Sequence, residues 1–157
     1  MDAAWIFRIN LSAGGVPKLP VHRAKVTLLG LAGDAHHDQK VHGGPERALC
    51  LYSLEQIKAL HTEGHPIFPG STGENLTLTG LDWPRITPNT RLRLGAEVII
   101  EITAYPQPCY KIASSFVDGQ ILRLSQEHFP GWARTCARVL SPGEIRVGDP
   151  VAYVREA

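Results

Sequence analysis

No apolar run in this chain goes far before a glycine or a proline interrupts it. The sequence holds 15 glycines and 12 prolines among 157 residues, where a combined share of about 12%, roughly 19 residues, is usual. The excess has no repeat period, so it is neither collagen-like nor low-complexity, and it reads as many turns. Many turns in a chain of this length imply many short strands. The length suits one domain with a real core, and no composition break, repeat or linker divides it. Residues 1–157 are therefore read as one domain. With 43% apolar and 20% charged residues, wholesale disorder is excluded. A net charge of +1 lacks the cationic excess that non-specific nucleic-acid binding requires.

The N-terminus, Met1-Asp2-Ala3-Ala4-Trp5-Ile6-Phe7-Arg8, has no basic stretch leading into a long apolar run, so no secretory signal is expected. No segment approaches the ~18 uninterrupted apolar residues of a membrane span. The cysteines, Cys50, Cys109 and Cys136, are odd in number and widely spaced, with no CxxC. Reduced thiols in the cytoplasm are the expectation.

Short strands are expected at Trp5–Ile9, Lys25–Leu31 and Arg47–Tyr52. One clear helix follows. Ser53 with Gln56 fits a capping box, Leu54, Ile57 and Leu60 form a helical stripe, and Gly64 ends it. Asn75–Thr79 alternates Leu76 and Leu78 with Thr77 and Thr79, the pattern of a half-buried strand. Arg91–Leu94 and Glu97–Thr103, joined by Gly95-Ala96, read as a hairpin with Leu92, Leu94, Val98, Ile100 and Ile102 on one face. A weaker helix is expected from about Asp118 to His128. Ala137–Leu140, Ile145–Val147 and Val151–Val154, with turns at Pro142-Gly143 and Gly148-Asp149, complete the list. The sum is a mainly β fold: a closed or partly closed antiparallel β-barrel of about eight short strands with one or two helices.

Three segments could carry chemistry. The first runs from Gly33 to Arg47 and includes Asp34, His36, His37, Asp38, His42, Gly43 and Gly44. Imidazoles and carboxylates so placed could ligate a metal. Equally, Gly43 and Gly44 permit an anion nest and Arg47 offers a two-pronged guanidinium, or the loop is merely polar. The second is Pro69-Gly70-Ser71-Thr72-Gly73-Glu74-Asn75-Leu76, which could present Asn75 and backbone amides to a polar ligand or simply turn the chain into a strand. The third is Tyr105-Pro106-Gln107-Pro108-Cys109-Tyr110-Lys111. Its prolines stiffen the approach to Cys109, and the charge of Lys111 favours a thiolate if it lies close. Thiolates ligate soft metal centres and act as sulfur nucleophiles. Cys50 and Cys136, within strand-like runs, read as small buried hydrophobes.

Taken in order, Gly30-Leu31-Ala32-Gly33-Asp34, His42-Gly43-Gly44 with Arg47-Ala48-Leu49, Leu51-Tyr52-Ser53, Gly73-Glu74-Asn75-Leu76, Leu94-Gly95, Pro108-Cys109-Tyr110-Lys111 and Gly148-Asp149 resemble the MOSC family, named for the C-terminal domain of molybdenum cofactor sulfurases. The resemblance spans about Gly15 to Tyr153. It implies a β-barrel that binds molybdenum cofactor, with Cys109 either ligating molybdenum or carrying sulfur as a persulfide. It places Tyr52, Ser53, Gly73, Glu74 and Asn75 along the pterin site, with His42, Gly43, Gly44, Arg47 and Lys111 also on the cofactor. Many members read Pro-Arg-x-Pro-Cys before the cysteine; here Tyr105-Pro106-Gln107-Pro108-Cys109 lacks the arginine, so any anion contact it makes must come from elsewhere.

Standalone short members look like bacterial proteins that detoxify N-hydroxylated bases and are similar to the mitochondrial amidoxime-reducing component. The resemblance therefore implies reduction of an N-hydroxylated small molecule. The sequence has no glycine fingerprint for a nucleotide cofactor and no Cys₄ cluster pattern, so an external electron-donor protein is expected. One rival is a non-catalytic carrier of sulfur or cofactor, loaded by a cysteine desulfurase. Another is a hydrolase using a metal held by His36, His37, Asp38 and His42. No nucleic-acid or membrane partner is expected.

Overall fold

The computed structural model describes residues 3–12, 15–34 and 44–155. Eleven strands occur among them: β1 (Ala4–Leu11), β2 (Leu19–Val21), β3 (Arg23–Thr27), β4 (Gly30–Leu31), β5 (Leu49–Ser53), β6 (Leu76–Thr79), β7 (Arg91–Leu94), β8 (Val98–Ala104), β9 (Thr135–Ser141), β10 (Gly143–Arg146) and β11 (Pro150–Tyr153). One helix, α1 (Leu54–Thr62), joins β5 to β6. Seven strands close a barrel in the order β1-β6-β5-β9-β8-β7-β11 and back to β1, with β2 added outside β1. A second sheet, β10-β3-β4, lies beside it. The expected barrel is thus present.

Period-two alternation explains the core. Leu49 and Leu51, Leu76 and Leu78, Leu92 and Leu94, and Val98, Ile100 and Ile102 all point inward and are at most 1% exposed. Each such side chain contributes about 1.5–3 kcal/mol by leaving water, so the barrel interior is the main source of stability. The hairpin read at 91–103 has this face and this register, Leu92 opposite Ile100 and Leu94 opposite Val98.

The helix begins where its cap predicts. Ser53 Oγ accepts the Gln56 N–H at 3.2 Å, and Leu54, Ile57 and Leu60 are buried. The capping box is only half made, because the Gln56 side chain donates to the Gly131 carbonyl at 2.9 Å.

Five expectations need correction. The barrel is not wholly antiparallel: β5 and β6 run parallel, with Leu51 opposite Leu76, and α1 belongs to the crossover that such a pair requires. Lys25–Leu31 is not one strand, because the chain turns at Leu28-Leu29 and β4 folds back on β3, pairing Val26 with Leu31. Gly30 makes that turn possible: its φ is +122°, and an added Cβ would lie 2.5 Å from the Ala48 carbonyl oxygen. Strand β6 is buried on both faces, not one. Thr77 faces the buried Asn10 and Glu74, and Thr79 donates to Glu55 of α1. The helix expected over Asp118–His128 is a series of short 3-10 turns, since Asp118 (φ +54°) and Gly119 (φ +64°) are both left-handed and break any helical run. The Arg47–Tyr52 strand starts two residues later, at Leu49, because Pro45–Arg47 forms a 3-10 turn.

Candidate functional site at one rim of the barrel

Short overlaps and staggered register, not a shared strand direction, bring distant segments together at one rim of the barrel wall. Antiparallel and parallel pairing together set the starts of β5, β6 and β9 beside the ends of β1 and β8. The segments that could carry chemistry all start or finish at this rim. Gly33-Asp34 and Gly44–Arg47 are the described ends of the first segment, residues 69–75 lead into β6, and β8 releases the chain toward Cys109, with Thr103 Oγ1 donating to the Glu46 carbonyl.

Beneath the rim lies a buried polar network. Lys18 Nζ meets Asp34 Oδ2 at 2.6 Å, with side chains 7% and 1% exposed. The same oxygen accepts Asn75 Nδ2 at 2.8 Å, and Asp34 Oδ1 accepts the Ser12 N–H at 3.0 Å. Asn75 Oδ1 accepts the Cys50 N–H at 2.9 Å, the Asn75 N–H donates to the Cys50 carbonyl at 2.7 Å, and the Asn75 carbonyl accepts from the Asn10 N–H at 2.7 Å. Asn75 therefore ties the 30–34 segment, β1 and β5 together at the start of β6.

Glu74, with no exposed surface, is equally committed. Its carboxyl accepts from the Gly70 N–H (2.9 Å), the Thr72 hydroxyl (2.8 Å) and the Thr77 hydroxyl (3.2 Å). Burial pushes its pKa above the ordinary glutamate value, with the Gly70 N–H, the Thr72 hydroxyl, its own backbone N–H and the Arg134 charge pulling the other way. The folded state then binds a proton more readily than the unfolded chain, so this group's contribution to stability falls as pH rises above about 4.3. Glu74→Gln is expected to gain on the parent protein as pH climbs, read from urea midpoints between about pH 4 and 8. A constant difference across that range would refute it.

The described residues singled out in the sequence each have a definite place. Tyr52 is fully buried, its hydroxyl donating to the Trp132 carbonyl at 2.6 Å and its ring set edge-on to Trp83. Ser53 caps α1. With Glu74 and Asn75, these side chains brace the rim and do not face outward from it. Gly44 (φ +89°) and Gly73 (φ +82°) occupy left-handed turns. Arg47 ends the 3-10 turn, with Nη1 3.9 Å from Cys136 Sγ. Cys109 is half-buried and precedes a 3-10 turn over Tyr110–Ser115, in which Lys111 is exposed. His36, His37, Asp38, His42 and Gly43 lie outside the described residues. Among the described residues, no group of three or more His, Cys, Asp or Glu side chains could hold a metal ion. No described helix is long and apolar enough to cross a membrane.

Sequence reasoning missed Lys18 and Arg134. Arg134 is only 7% exposed, and its Nη1 donates to the Thr72 carbonyl at 2.7 Å. Its Nε is buried with no partner. No local pattern marks either residue, since each matters through partners far along the chain.

The other two cysteines sit in the barrel wall. Burial pushes the Cys50 thiol up to about 12 and raises Cys136 as well, while Arg134 and Arg47 respectively oppose the rise. Below that value the thiolate fraction climbs about tenfold per pH unit. Alkylation of Cys50 in the folded protein is therefore expected to be slow at about pH 8 and to accelerate nearly tenfold per unit above it. Rates read by peptide mass spectrometry that level off near pH 9, the behaviour of an ordinary thiol, would count against this environment.

The closed barrel, with its rim of glycine turns, buried polar braces and a cysteine just beyond β8, defines a recognisable class. The MOSC domain model matches residues 38–152, and the chain belongs to that family, which is associated with molybdenum cofactor. It is 32% identical over 134 residues to protein YiiM of Escherichia coli (strain K12), covering 82% of this chain and 58% of that one. A protein named "Reductase" from Gibberella moniliformis is 30% identical over 130 residues, covering 80% of this chain and 22% of that protein. The crystal structure of YiiM from Geobacillus stearothermophilus superposes with a TM-score of 0.75 at 26% identity, covering 97% of this chain and 75% of that one. The chain thus spans less than two thirds of the length of its curated relatives.

The rim fits a phosphate-bearing pterin on one observation in particular. The buried Arg134 guanidinium has a donor without a partner, so a cation with unused bonding capacity is held just below the surface. Arg47 adds a second cation beside the same strand starts, and Cys109 supplies a soft sulfur donor.

Proposed function

We propose that this rim binds molybdenum cofactor through Cys109 and reduces N-hydroxylated small molecules such as hydroxylaminopurines. The observation that carries this reading is the convergence of the 30–34, 44–47 and 73–76 segments with the end of β8, which releases the chain toward Cys109. The cofactor, when bound, supplies a metal that passes two electrons to the substrate. The balanced reaction takes R–NHOH, two electrons and two protons to R–NH₂ and water, with the electrons from an external donor protein. The name of the Gibberella moniliformis relative is consistent with such a reduction.

In this reading the chain's own groups hold and orient. Cys109 Sγ is the thiolate ligand. Arg47, Arg134 and the exposed Lys111 draw in the anionic end of the cofactor, with Arg134 in place of the arginine missing before Cys109. Gly44 and Gly73 allow close backbone approach, and His42 and Gly43, next to Gly44 in the sequence, are assigned to the same cofactor segment. Tyr52, Ser53, Glu74 and Asn75 keep the rim in shape from beneath. Protein purified from a cofactor-competent host should carry molybdenum and pterin at close to one per chain and reduce a hydroxylaminopurine when given electrons. Metal-free protein from such a host would end this reading. A persulfide on Cys109 after incubation with a cysteine desulfurase, without substrate reduction, would mark a carrier instead.

A further inference from the structure

Cys50 and Cys136 are directly opposite one another in the antiparallel β5–β9 ladder. Leu49, Leu51 and Ala137 beside them point into the core with no exposed surface, so both cysteines point to the outer face of the barrel wall. Their pairing type follows from Asn75. The Cys50 N–H donates to Asn75 Oδ1 and the Cys50 carbonyl accepts from the Asn75 N–H, so neither group bonds to Cys136. This is therefore a non-hydrogen-bonded pair, in which opposite Cα atoms lie about 4.5 Å apart and the side chains approach closely. A disulfide needs Cα atoms about 4.4–6.8 Å apart. Both thiols are free in this structure, and charge on one is felt by the other.

We propose that Cys50 and Cys136 are an oxidation site, a thiol pair in the barrel wall that closes into an intrachain disulfide separate from Cys109. The oxidant is a low-molecular-weight disulfide. Cys50, half-buried where Cys136 is 4% exposed, attacks one sulfur as the thiolate and expels the first thiol. Cys136 then attacks the mixed disulfide, the Cys50–Cys136 bond forms, and the second thiol leaves. Two cysteine thiols lose two protons and two electrons, and the oxidant is reduced to two thiols. Closure ties β5 to β9 directly below Arg47, whose Nη1 lies 3.9 Å from Cys136 Sγ. The proposal stands whether or not the rim holds a cofactor.

The test is incubation of the folded protein with excess oxidised glutathione, acid quench, alkylation of remaining thiols and mass spectrometry of intact chain and peptides. The expected product has lost two hydrogens and two of its three free thiols, with one cross-linked peptide joining Cys50 to Cys136. Cys109→Ser should still form it, whereas Cys50→Ser and Cys136→Ser should not. A disulfide that includes Cys109 would overturn the proposal. So would glutathione left on Cys50 beside a free Cys136, or both thiols still free after an incubation long enough for an alkylating reagent to modify Cys50 in the folded protein at the same pH.

Discussion

Asp34→Ala is expected to cost about 3–5 kcal/mol of folding stability, the range for breaking a buried ion pair from one side. Small domains have only about 5–15 kcal/mol in total, so this variant should approach unfolding. The reason is what Asp34 leaves behind. Lys18, with its side chain 7% exposed, would lose a carboxylate at 2.6 Å. Asn75 Nδ2 and the Ser12 N–H would lose their acceptors as well. Removing the other partner should matter less, because in Lys18→Met the carboxylate keeps two N–H donors. Urea unfolding checks the order: the midpoint of Asp34→Ala should fall further than that of Lys18→Met, with little change in slope. Equal costs would mean that the network does not converge on the aspartate.

Cys109→Ser is expected to lower bound molybdenum at least tenfold and to abolish N-hydroxy reduction, while leaving the fold unchanged. Serine is close in size, and Cys109 is half-buried before a surface turn, so the barrel loses nothing it packs on. What changes is the donor: a hydroxyl stays protonated where a thiolate is required, and oxygen is hard where sulfur is soft. Metal analysis beside a urea unfolding curve separates the outcomes. Unchanged stability with lost metal supports a thiolate ligand. Full metal retention would remove Cys109 from the metal, even if activity fell. The phosphate side of the same proposal predicts a weaker pterin association in Arg134→Met, readable by pterin fluorescence after release, because an aliphatic chain fills the volume without the donors.

Much of the barrel is readable from the residues alone because its strongest signals are local. The alternation of Leu92, Leu94, Val98, Ile100 and Ile102 gives a hairpin and its inner face directly. Ser53 and Gly64 bracket a helix in the same way. Alternation misleads at Thr77 and Thr79, which read as the wet face of β6. Burial there depends on Glu55 of α1 and on Asn10, which belong to other elements. The parallel pairing of β5 with β6 is invisible for the same reason, since residue pattern reports a face and not a neighbour's direction.

At the site, polar residues in loops such as Glu74 and Asn75 look free to meet a ligand. In the fold each is used up by donors and acceptors from several segments. Lys18 and Arg134 look ordinary in the sequence and prove to be the buried cations of the rim. Their importance rests on partners whose positions only the closed barrel defines.

The braces under the rim join residues remote in sequence: Asn10 to Glu74 across 64 positions, Asp34 to Asn75 across 41, Cys50 to Asn75 across 25 and Thr72 to Arg134 across 62. Contacts of such long range pay their loop-closure entropy late, after local hairpins have formed. The rim therefore takes its shape only once the strands that carry these residues are in place. A ligand seated there meets only fully closed molecules, and its occupancy becomes a gauge of whether the chain has finished folding.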